Sequence, residues 1–322
     1  MKRALLLLVI AGCHSFEDPN IVVDLRVLAI SASIPEQVVT VDLANPPKPT
    51  DLLPQLVDVE YCGLVADPAF DRGVRYAFTL CPYGDYDRCD ADVQVPLGSG
   101  IIGDPDTALP EPRMCATVHV NGNLLGVLLD ALSGDSLHGL GGIDALVQLE
   151  VGGVDADPAL DLFAAKDLRV NPRIPAARTP NTNPSLTRID ATIDDGPPTA
   201  LGNGRCVEAP ATLTVAPGTK VRFTPIEPDG AREVYVVPTL DGQSRTFTEN
   251  LSYQWSASAG GYSSGDTGGP RNVTGNPPPL FTDWRAPSAA DLGGPTDVSL
   301  WIVQRDERLG VQWYESCIRV EP

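Results

Sequence analysis

Residues 297–303 read Asp-Val-Ser-Leu-Trp-Ile-Val, and residues 317–322 read Cys-Ile-Arg-Val-Glu-Pro. A similar pair occurs earlier: residues 144–151 read Asp-Ala-Leu-Val-Gln-Leu-Glu-Val, and residues 166–172 read Lys-Asp-Leu-Arg-Val-Asn-Pro. Short runs rich in apolar and branched residues are typical of β-strands. Each pair therefore predicts a closing β-hairpin, and the repetition predicts two copies of one β-domain type.

The opening strands of the two copies are also alike. Leu186–Ile193 resembles Leu25–Ala32 in its pattern of branched and polar residues. The intervening segment, residues 173–185, is rich in proline and has no apolar periodicity, so it predicts a linker. The sequence thus predicts a first β-domain at 21–172 and a second at 186–322.

The composition favours a β protein with many turns. The chain has 31 prolines and 30 glycines among 322 residues, and 43% of its residues are hydrophobic. One segment departs from strand patterns, because residues 123–132 place five leucines at helical spacing after Asn123, a good N-cap residue. The predicted fold class is all-β, with two tandem β-sandwich domains and one short helix in the first.

The N-terminal residues form a signal of a different kind. Met1-Lys2-Arg3 is followed by a short apolar run that ends in Ile10-Ala11-Gly12-Cys13. The run is too short to span a bilayer, which takes about 20 helical residues, so it predicts a processing signal. Ile10–Cys13 resembles the lipobox of bacterial lipoproteins. The resemblance implies that residues 1–12 are a cleaved signal peptide and that Cys13 is lipidated.

The same resemblance implies a cellular location. His14 is not the aspartate that retains such proteins in the inner membrane, which implies a lipid anchor in the outer membrane of a Gram-negative-type bacterium. The membrane is then a partner through the lipid on Cys13. Residues 13–20 form a short tether, which predicts that the first domain lies close to the membrane and the second farther out. An ordinary secretory signal with an incidental cysteine is the alternative.

The other six cysteines predict disulfides, because an even number in an exported chain is typical of an oxidising compartment. Fifteen full pairings are possible. If each half folds alone, Cys206 pairs with Cys317. Cys81 and Cys89 bracket a turn-rich septet that can bring its ends together, and Cys62 with Cys115 follows by elimination.

The charge excludes some partners. The formal net charge is −19, and removal of Lys2 and Arg3 with the signal peptide makes it −21. Nucleic acid and anionic lipid head groups are therefore poor partners for the body of the protein. No cofactor is predicted, and zinc is excluded because there is no Cys-x-x-Cys motif.

Four segments of the second half carry a family resemblance: Leu213–Phe223, Tyr253–Ser256, Trp284–Pro287 and Ser299–Val320. They resemble the immunoglobulin-like and polycystic-kidney-disease-like modules found in tandem on bacterial surface lipoproteins. The resemblance implies β-sandwich domains. Two features depart from it: the Trp-Asp-Phe-Gly-Asp-Gly signature is absent, and Cys206 lies too far before Trp255 for the antibody-type core.

Catalytic motifs are not evident. His119 and His138 are the histidines available as a base, and no serine lies in a Gly-x-Ser-x-Gly elbow. His119 fits a strand residue and His138 a residue of a glycine-rich turn. Residues 139–142 match no phosphate-binding loop.

Two sets of residues are candidates for a binding site. Asp85, Asp87, Asp90 and Asp92, or Asp194 and Asp195, could bind calcium, although neither cluster has EF-hand spacing and solvated loop acids are favoured. Aromatic residues could form a recognition surface, although tryptophans in a sandwich are more often core. These aromatic residues are Tyr83, Tyr86, Tyr253, Trp255, Trp284, Trp301 and Trp313.

The sequence therefore predicts a non-enzymatic, lipid-anchored envelope protein that acts in binding, adhesion or surface assembly. An envelope protein or a glycan is the expected partner. The alternative is a calcium- or carbohydrate-dependent binding module of the cell surface, and a degenerate hydrolase that uses His119 is a third reading.

Overall fold

The computed structural model describes residues 18–42, 44–45, 48–68, 72–83, 88–89, 92–103, 114–136, 139–239 and 242–321. We call the part up to residue 172 the N-terminal half. Its strands are β1 (Arg26–Ala32), β2 (Gln37–Val39), β3 (Val59–Ala66), β4 (Val74–Pro82), β5 (Val95–Ile102), β6 (Met114–Val118), β7 (Ile143–Gly153) and β8 (Leu162–Pro172). Its helices are α1 (Pro49–Leu52) and α2 (Gly122–Gly134), with 3-10 turns at Leu53–Gln55 and Pro158–Leu160.

The part from residue 186 onward is the C-terminal half, which consists of strands and loops. Its strands are β9 (Arg188–Ile193), β10 (Thr199–Ala200), β11 (Leu213–Val215), β12 (Lys220–Ile226), β13 (Val234–Pro238), β14 (Ser244–Thr248), β15 (Ser252–Ala257), β16 (Gly261–Tyr262), β17 (Asp266–Gly268), β18 (Thr282–Arg285), β19 (Thr296–Arg305) and β20 (Val311–Val320).

The two halves share one strand order. The sheets β1-β3-β6 and β2-β8-β7-β4-β5 of the N-terminal half correspond to β9-β12-β18, flanked by β10 and β16, and to β11-β20-β19-β15-β17. In each half a short strand crosses to the second sheet and pairs in parallel with the last strand. Paired sheets connected in this way form an immunoglobulin-like β-sandwich. The predicted all-β fold is confirmed, and the repeated sequence pattern corresponds to a repeated topology.

Helix α2 is the short helix predicted in the first half, with a different start. It spans Gly122–Gly134, and its N-cap is Asn121, not Asn123 as predicted. The Asn121 side chain accepts hydrogen bonds from the backbone N–H groups of Asn123 at 2.9 Å and Leu124 at 3.2 Å. These bonds satisfy donors that the first helical turn leaves unpaired. The buried face of the helix closes one end of the N-terminal core.

Each half has its own core between its two sheets. The N-terminal core is mainly aliphatic, with Tyr61 and Phe78 as its large fully buried side chains. The C-terminal core is built on aromatic rings: Phe223 stacks on Trp255 and Trp284 at centroid distances of 6.2 and 6.0 Å. Stacked rings add to the free energy gained from apolar burial.

A third apolar cluster lies between the halves, and we call it the joint. Strand β19 is buried on both faces, because Leu300 and Ile302 enter the C-terminal core while Trp301 and Val303 enter the joint. Strands buried on both faces have continuous apolar runs instead of alternation. This two-sided burial accounts for the run of four apolar residues in β19.

The N-terminal half contributes the outer face of β1 and β3 to the joint. A β-bulge between Val27 and Ala29 turns both Leu28 and Ala29 towards the joint, whereas Ile30 faces the N-terminal core. Bulges change which face a residue occupies. The bulge explains why the opening strand alternates only partially, and the two sandwiches pack side by side through sheet faces.

Candidate binding surfaces

The residues of the predicted lipid anchor, Ile10–Cys13, lie outside the described residues, as does the tether up to residue 17. From Asp18 onward the chain contacts the C-terminal half, where Ile21 forms a parallel β-bridge with Ala257. This placement differs from the predicted one, in which the tether leads to the first domain alone. Within the described part of the chain, no helix is long and apolar enough to span a membrane.

The three disulfides are those predicted from the sequence: Cys62–Cys115, Cys81–Cys89 and Cys206–Cys317. Cys62 and Cys115 face each other on β3 and β6. Cys317 of β20 is joined to the connection between β10 and β11. Each bond therefore stays within one half.

The acidic residues considered for calcium form no site in the described residues. Asp85, Asp87 and Asp90 lie outside that part, and Asp92 is exposed. Asp194 and Asp195 are exposed turn residues with positive φ. One described group has three potential metal ligands close together, namely Glu60, Cys62 and Cys115. Because its cysteines share a disulfide, they offer no thiolate.

His119, the candidate base, lies on the surface directly after β6. Its Nδ1 is 2.7 Å from Asp58 Oδ2, and both side chains are largely exposed. The backbone N–H of Val120 and the His119 side chain hold the pKa of Asp58 below its usual value. His138 lies outside the described residues.

The aromatic residues considered for a recognition surface are mostly buried, as the core interpretation predicted. Tyr253, Trp255 and Trp284 belong to the C-terminal core, and Trp301 and Trp313 belong to the joint. Trp255 Nε1 donates to Thr267 Oγ1 at 2.8 Å, which satisfies its buried indole N–H. In the N-terminal half, the Tyr83 hydroxyl donates to Asp167, and Tyr86 lies outside the described residues.

The polar border of the joint was not found by sequence reasoning, and Glu36 is at its centre. This carboxylate is 3% exposed and accepts hydrogen bonds from Arg178, from Arg308 at 2.7 Å, and from the Asn181 backbone N–H at 2.9 Å. Burial alone would raise the pKa of Glu36, but these partners lower it below its usual value. The predicted linker, which holds Arg178 and Asn181, is thus fixed against both halves.

Arg308 reaches further carboxylates beyond Glu36. Its Nη1 is 3.5 Å from both Glu233 and Glu249, and its guanidinium lies 4.7 Å from the centroid of the Tyr235 ring. Burial, together with the nearby charge of Asp306, raises the pKa of Glu249 to about 7. Arg308 therefore links the turn between β19 and β20 to the N-terminal half and to the segment around β13.

The structure has two open cavities, one beside these contacts and one at the other end of the C-terminal half. A cleft of about 410 Å³ lies between β1, β8 and the β19–β20 turn, where Lys166 donates to the carbonyl of Leu309 and burial lowers the pKa of Lys166 to about 8. A groove of about 940 Å³ lies beside Ile21 and Trp284. No histidine is found among the described residues that line either cavity.

Strands β13 and β14 form a two-stranded ribbon apart from both sheets. All five residues of β14 are exposed, and Phe247 and Val234 are 44% and 61% exposed. Tyr235 stacks on Phe247 at 5.7 Å and donates its hydroxyl hydrogen bond to Glu307 at 2.7 Å. The ribbon is therefore attached at one face and presents apolar side chains to solvent.

The register of the ribbon shows which backbone groups point outward. Glu249 N–H donates to the Glu233 carbonyl, and Thr239 N–H donates to the Gln243 carbonyl. Because hydrogen-bonded and non-hydrogen-bonded pairs alternate in antiparallel strands, the intervening pair of Val236 and Thr246 is non-hydrogen-bonded. The backbone N–H of Thr246 therefore points away from β13 and is available to a further strand.

Comparisons with known proteins leave the family open. No family model matches the chain, and no curated protein matches it. Solved structures give low-scoring similarities. Red sea bream transglutaminase is 7% identical with a TM-score of 0.24, over 94% of this chain and 32% of that one. Native E. coli alpha-2-macroglobulin is 9% identical with a TM-score of 0.20, over 91% of this chain and 16% of that one.

A shorter protein gives a similar result. The collagen adhesin CNA from S. aureus is 9% identical with a TM-score of 0.15, over 92% of each chain. The chain spans 32% or less of the transglutaminase and the alpha-2-macroglobulin. These scores carry no functional argument, and the fold assignment rests on the strand order.

Proposed function

We propose that this is a non-enzymatic, lipid-anchored protein of the bacterial envelope that binds an extended segment of another envelope protein. The observation that carries the binding proposal is the outward edge of β14, which pairs with no other strand among the described residues. Addition of a strand to an exposed sheet edge is a general mode of peptide recognition, in which backbone hydrogen bonds supply affinity and side-chain pockets supply specificity.

The two edges of the ribbon differ. On β13, Pro238 occupies an outward-facing, non-hydrogen-bonded position and has no N–H to donate. Proline on an edge strand opposes pairing. On β14 the corresponding outward positions are Ser244, Thr246 and Thr248, each of which keeps its N–H. The β14 edge is thus the one suited to a partner strand.

The proposal includes a lipid anchor in the outer membrane, and the lipobox resemblance of Ile10–Cys13 supports this part of it. The three disulfides support passage through an oxidising compartment. The acidic body disfavours nucleic acid as a partner. Calcium- or carbohydrate-dependent binding stays a prediction from the sequence.

Photo-crosslinking in intact cells tests the binding edge. We place p-benzoylphenylalanine at position 247, expect one defined crosslinked partner, and expect none from the same group at position 207, where Val207 is 60% exposed. Thr246→Pro removes the outward N–H without removing a bond of the ribbon, so it abolishes the crosslink. Thr246→Val keeps the N–H and the crosslink. Equal crosslinking by the Pro and Val variants contradicts strand addition.

A further inference from the structure

The first described residues are built into the C-terminal half. The backbone N–H of Val22 donates to the carbonyl of Ala257 at 2.8 Å, and Ala257 N–H donates to the carbonyl of Asn20 at 3.0 Å. Val22 is fully buried in the joint. Cys13 precedes Asp18 by five residues, which extend to at most about 18 Å. A lipid on Cys13 is therefore held close to this end of the molecule.

The same end of the molecule contains turns of the N-terminal half. Arg72, which lies two residues before β4, pairs with Asp24 and with Asp67, so the start of β1 and the β3–β4 turn meet there. The backbone N–H of Val154 donates to the carbonyl of Gly73 at 2.9 Å, which adds the β7–β8 turn. The opposite end of β7, an 11-residue strand, lies about 33 Å away and leads back to Leu140 and α2.

The β7–β8 turn is an ordered structure that carries apolar side chains outward. Arg75 donates to the carbonyl of Ala156 at 3.3 Å and to Asp161 Oδ1 at 2.5 Å. Asp157 Oδ1 accepts from the backbone N–H of Ala159 at 3.0 Å and caps the 3-10 turn. The result is that Leu160, at the end of this turn, is 75% exposed.

Two further apolar side chains are exposed at the same end of the molecule. Val154 and Ile101 are exposed, and both lie against the backbone of Gly73. An exposed apolar cluster on a soluble surface commonly marks a contact with protein or membrane. Here the position of the anchor decides between these two, because the lipid on Cys13 holds this end next to the bilayer.

We propose that Leu160, Val154 and Ile101 contact the bilayer surface beside the lipid anchor, so that both halves stand on the membrane side by side. The proposal rests on the lipid anchor of the proposed function. Acidic residues of the same turn, Asp155 and Asp157, are exposed, so a zwitterionic lipid surface fits this end better than an anionic one. The β13–β14 ribbon belongs to the opposite end, where Arg308 and Glu36 meet.

Fluorescence quenching by vesicles of brominated phosphatidylcholine tests this orientation. The full acylated protein carries either Leu160→Trp or Leu140→Trp, and Leu140 is a matched control that is 57% exposed at the opposite end. Bromine quenches only at close range. The four native tryptophans, of which Trp255, Trp284 and Trp301 are nearly unexposed and Trp313 is partly buried, are common to both variants and give the same background. We expect the Leu160→Trp signal to fall by at least half and the Leu140→Trp signal to stay unchanged.

Quenching of Leu140→Trp alone, or equal quenching at both positions, overturns the orientation. A separate measurement, the intact mass of the protein isolated from cells, shows whether Cys13 carries a lipid. An unmodified Cys13 in that mass contradicts the proposed anchor. In that case the orientation is tested with a maleimide phospholipid coupled to Cys13, followed by the same quenching measurement. The coupling is specific because the other six of the seven cysteines form disulfides.

Discussion

The two halves have the same strand order and different connections. Between β3 and β4 the N-terminal half needs only residues 67–73, whereas the matching connection of the C-terminal half, residues 227–251, carries the β13–β14 ribbon. Between β6 and β7 the N-terminal half carries α2, and the C-terminal half has only a turn-rich segment. The cores constrain the strands but not the loops, so features specific to one half are expected in its connections.

The halves also differ in what stabilises them. The C-terminal half has all four tryptophans of the chain and a disulfide between residues 111 positions apart. The N-terminal half has an aliphatic core and a disulfide between neighbouring strands, with a separation of 53. Tryptophan fluorescence therefore reports on the C-terminal half and the joint, whereas circular dichroism reports on both halves.

Removal of one disulfide from each half should have the largest effect. Cys206→Ser with Cys317→Ser is expected to lower the free energy of unfolding by about 5 kcal/mol, and Cys62→Ser with Cys115→Ser by about 4 kcal/mol, because the closed loops are long. Urea unfolding followed by both signals measures the change. If the halves are separate folding units, as the sequence predicts, only the first variant moves the main fluorescence transition.

Cys81→Ser with Cys89→Ser is the matched control for that comparison. It opens a loop with a separation of only 8 residues and is expected to cost about 2–3 kcal/mol. Identical shifts of the fluorescence and circular dichroism transitions in every variant would show one cooperative unit, and would contradict the division into two domains.

Loss of Arg308 should have the next largest effect, because it opens the joint without altering either core. Arg308→Ala leaves the buried carboxylate of Glu249 without its cation, and it leaves Glu36 with Arg178 as its remaining positively charged partner. We expect a loss of about 2–3 kcal/mol in unfolding free energy. The emission of Trp301 and Trp313 should also shift towards that of solvated indole.

The control for Arg308 is Arg319→Ala. Arg319 pairs with Asp297 at 3.0 Å and Glu321 at 3.2 Å in a solvent-exposed position, so its loss should cost less than about 1 kcal/mol. An equally small effect of Arg308→Ala, with unchanged tryptophan emission, would show that the Arg308 contacts do not hold the halves together.

A smaller effect is expected from pH. The pKa of Glu249 is about 7 in the folded chain and its ordinary value is 4.5, so the folded state binds the proton more tightly. Its contribution is fully present below the ordinary pKa and is lost as the pH rises through about 7. Unfolding free energy should fall by about 1–2 kcal/mol from about pH 5 to about pH 8.

Glu249→Gln should remove this fall and leave the protein more stable at the upper pH. Glu36 has a lowered pKa, so its contribution is lost only as the pH falls below its usual range, and the two windows are distinct. An unchanged slope in the Gln variant would assign the pH dependence to other groups.

Much of the fold could be predicted because local patterns of apolar and polar residues determine its strands and its helix. The paired hairpins and the helix of residues 123–132 depend on neighbours in sequence, and the structure contains them. The disulfide pairing depends instead on the division of the chain into two halves, which leaves few partners for each cysteine, and the structure has the same three pairs. The predicted N-cap of α2 was wrong by two residues, because Asn121 and Asn123 are both suitable N-cap residues and tertiary contacts decide between them.

The joint could not be predicted, because its contacts are long-range. Glu36 and Arg308 are far apart in the chain, and neither stands in a recognisable motif. One local signal was available: Leu300–Val303 is continuously apolar, which indicates burial on both faces and therefore a second packing partner. For β14, the alternation of apolar and polar residues is weak, so no local pattern predicts this strand or its outward edge.

The backbone hydrogen bond between Val22 and Ala257 also implies an order in which parts of the chain can fold. A chain synthesised from its N-terminus delivers β1 early, but Ala257 and the joint residues of β19 and β20 arrive near the end. During that interval Leu28, Ala29 and Val22 have no cover from the C-terminal half. The outer face of the first sandwich is therefore exposed to chaperones and proteases throughout synthesis, until the last strands to emerge cover it.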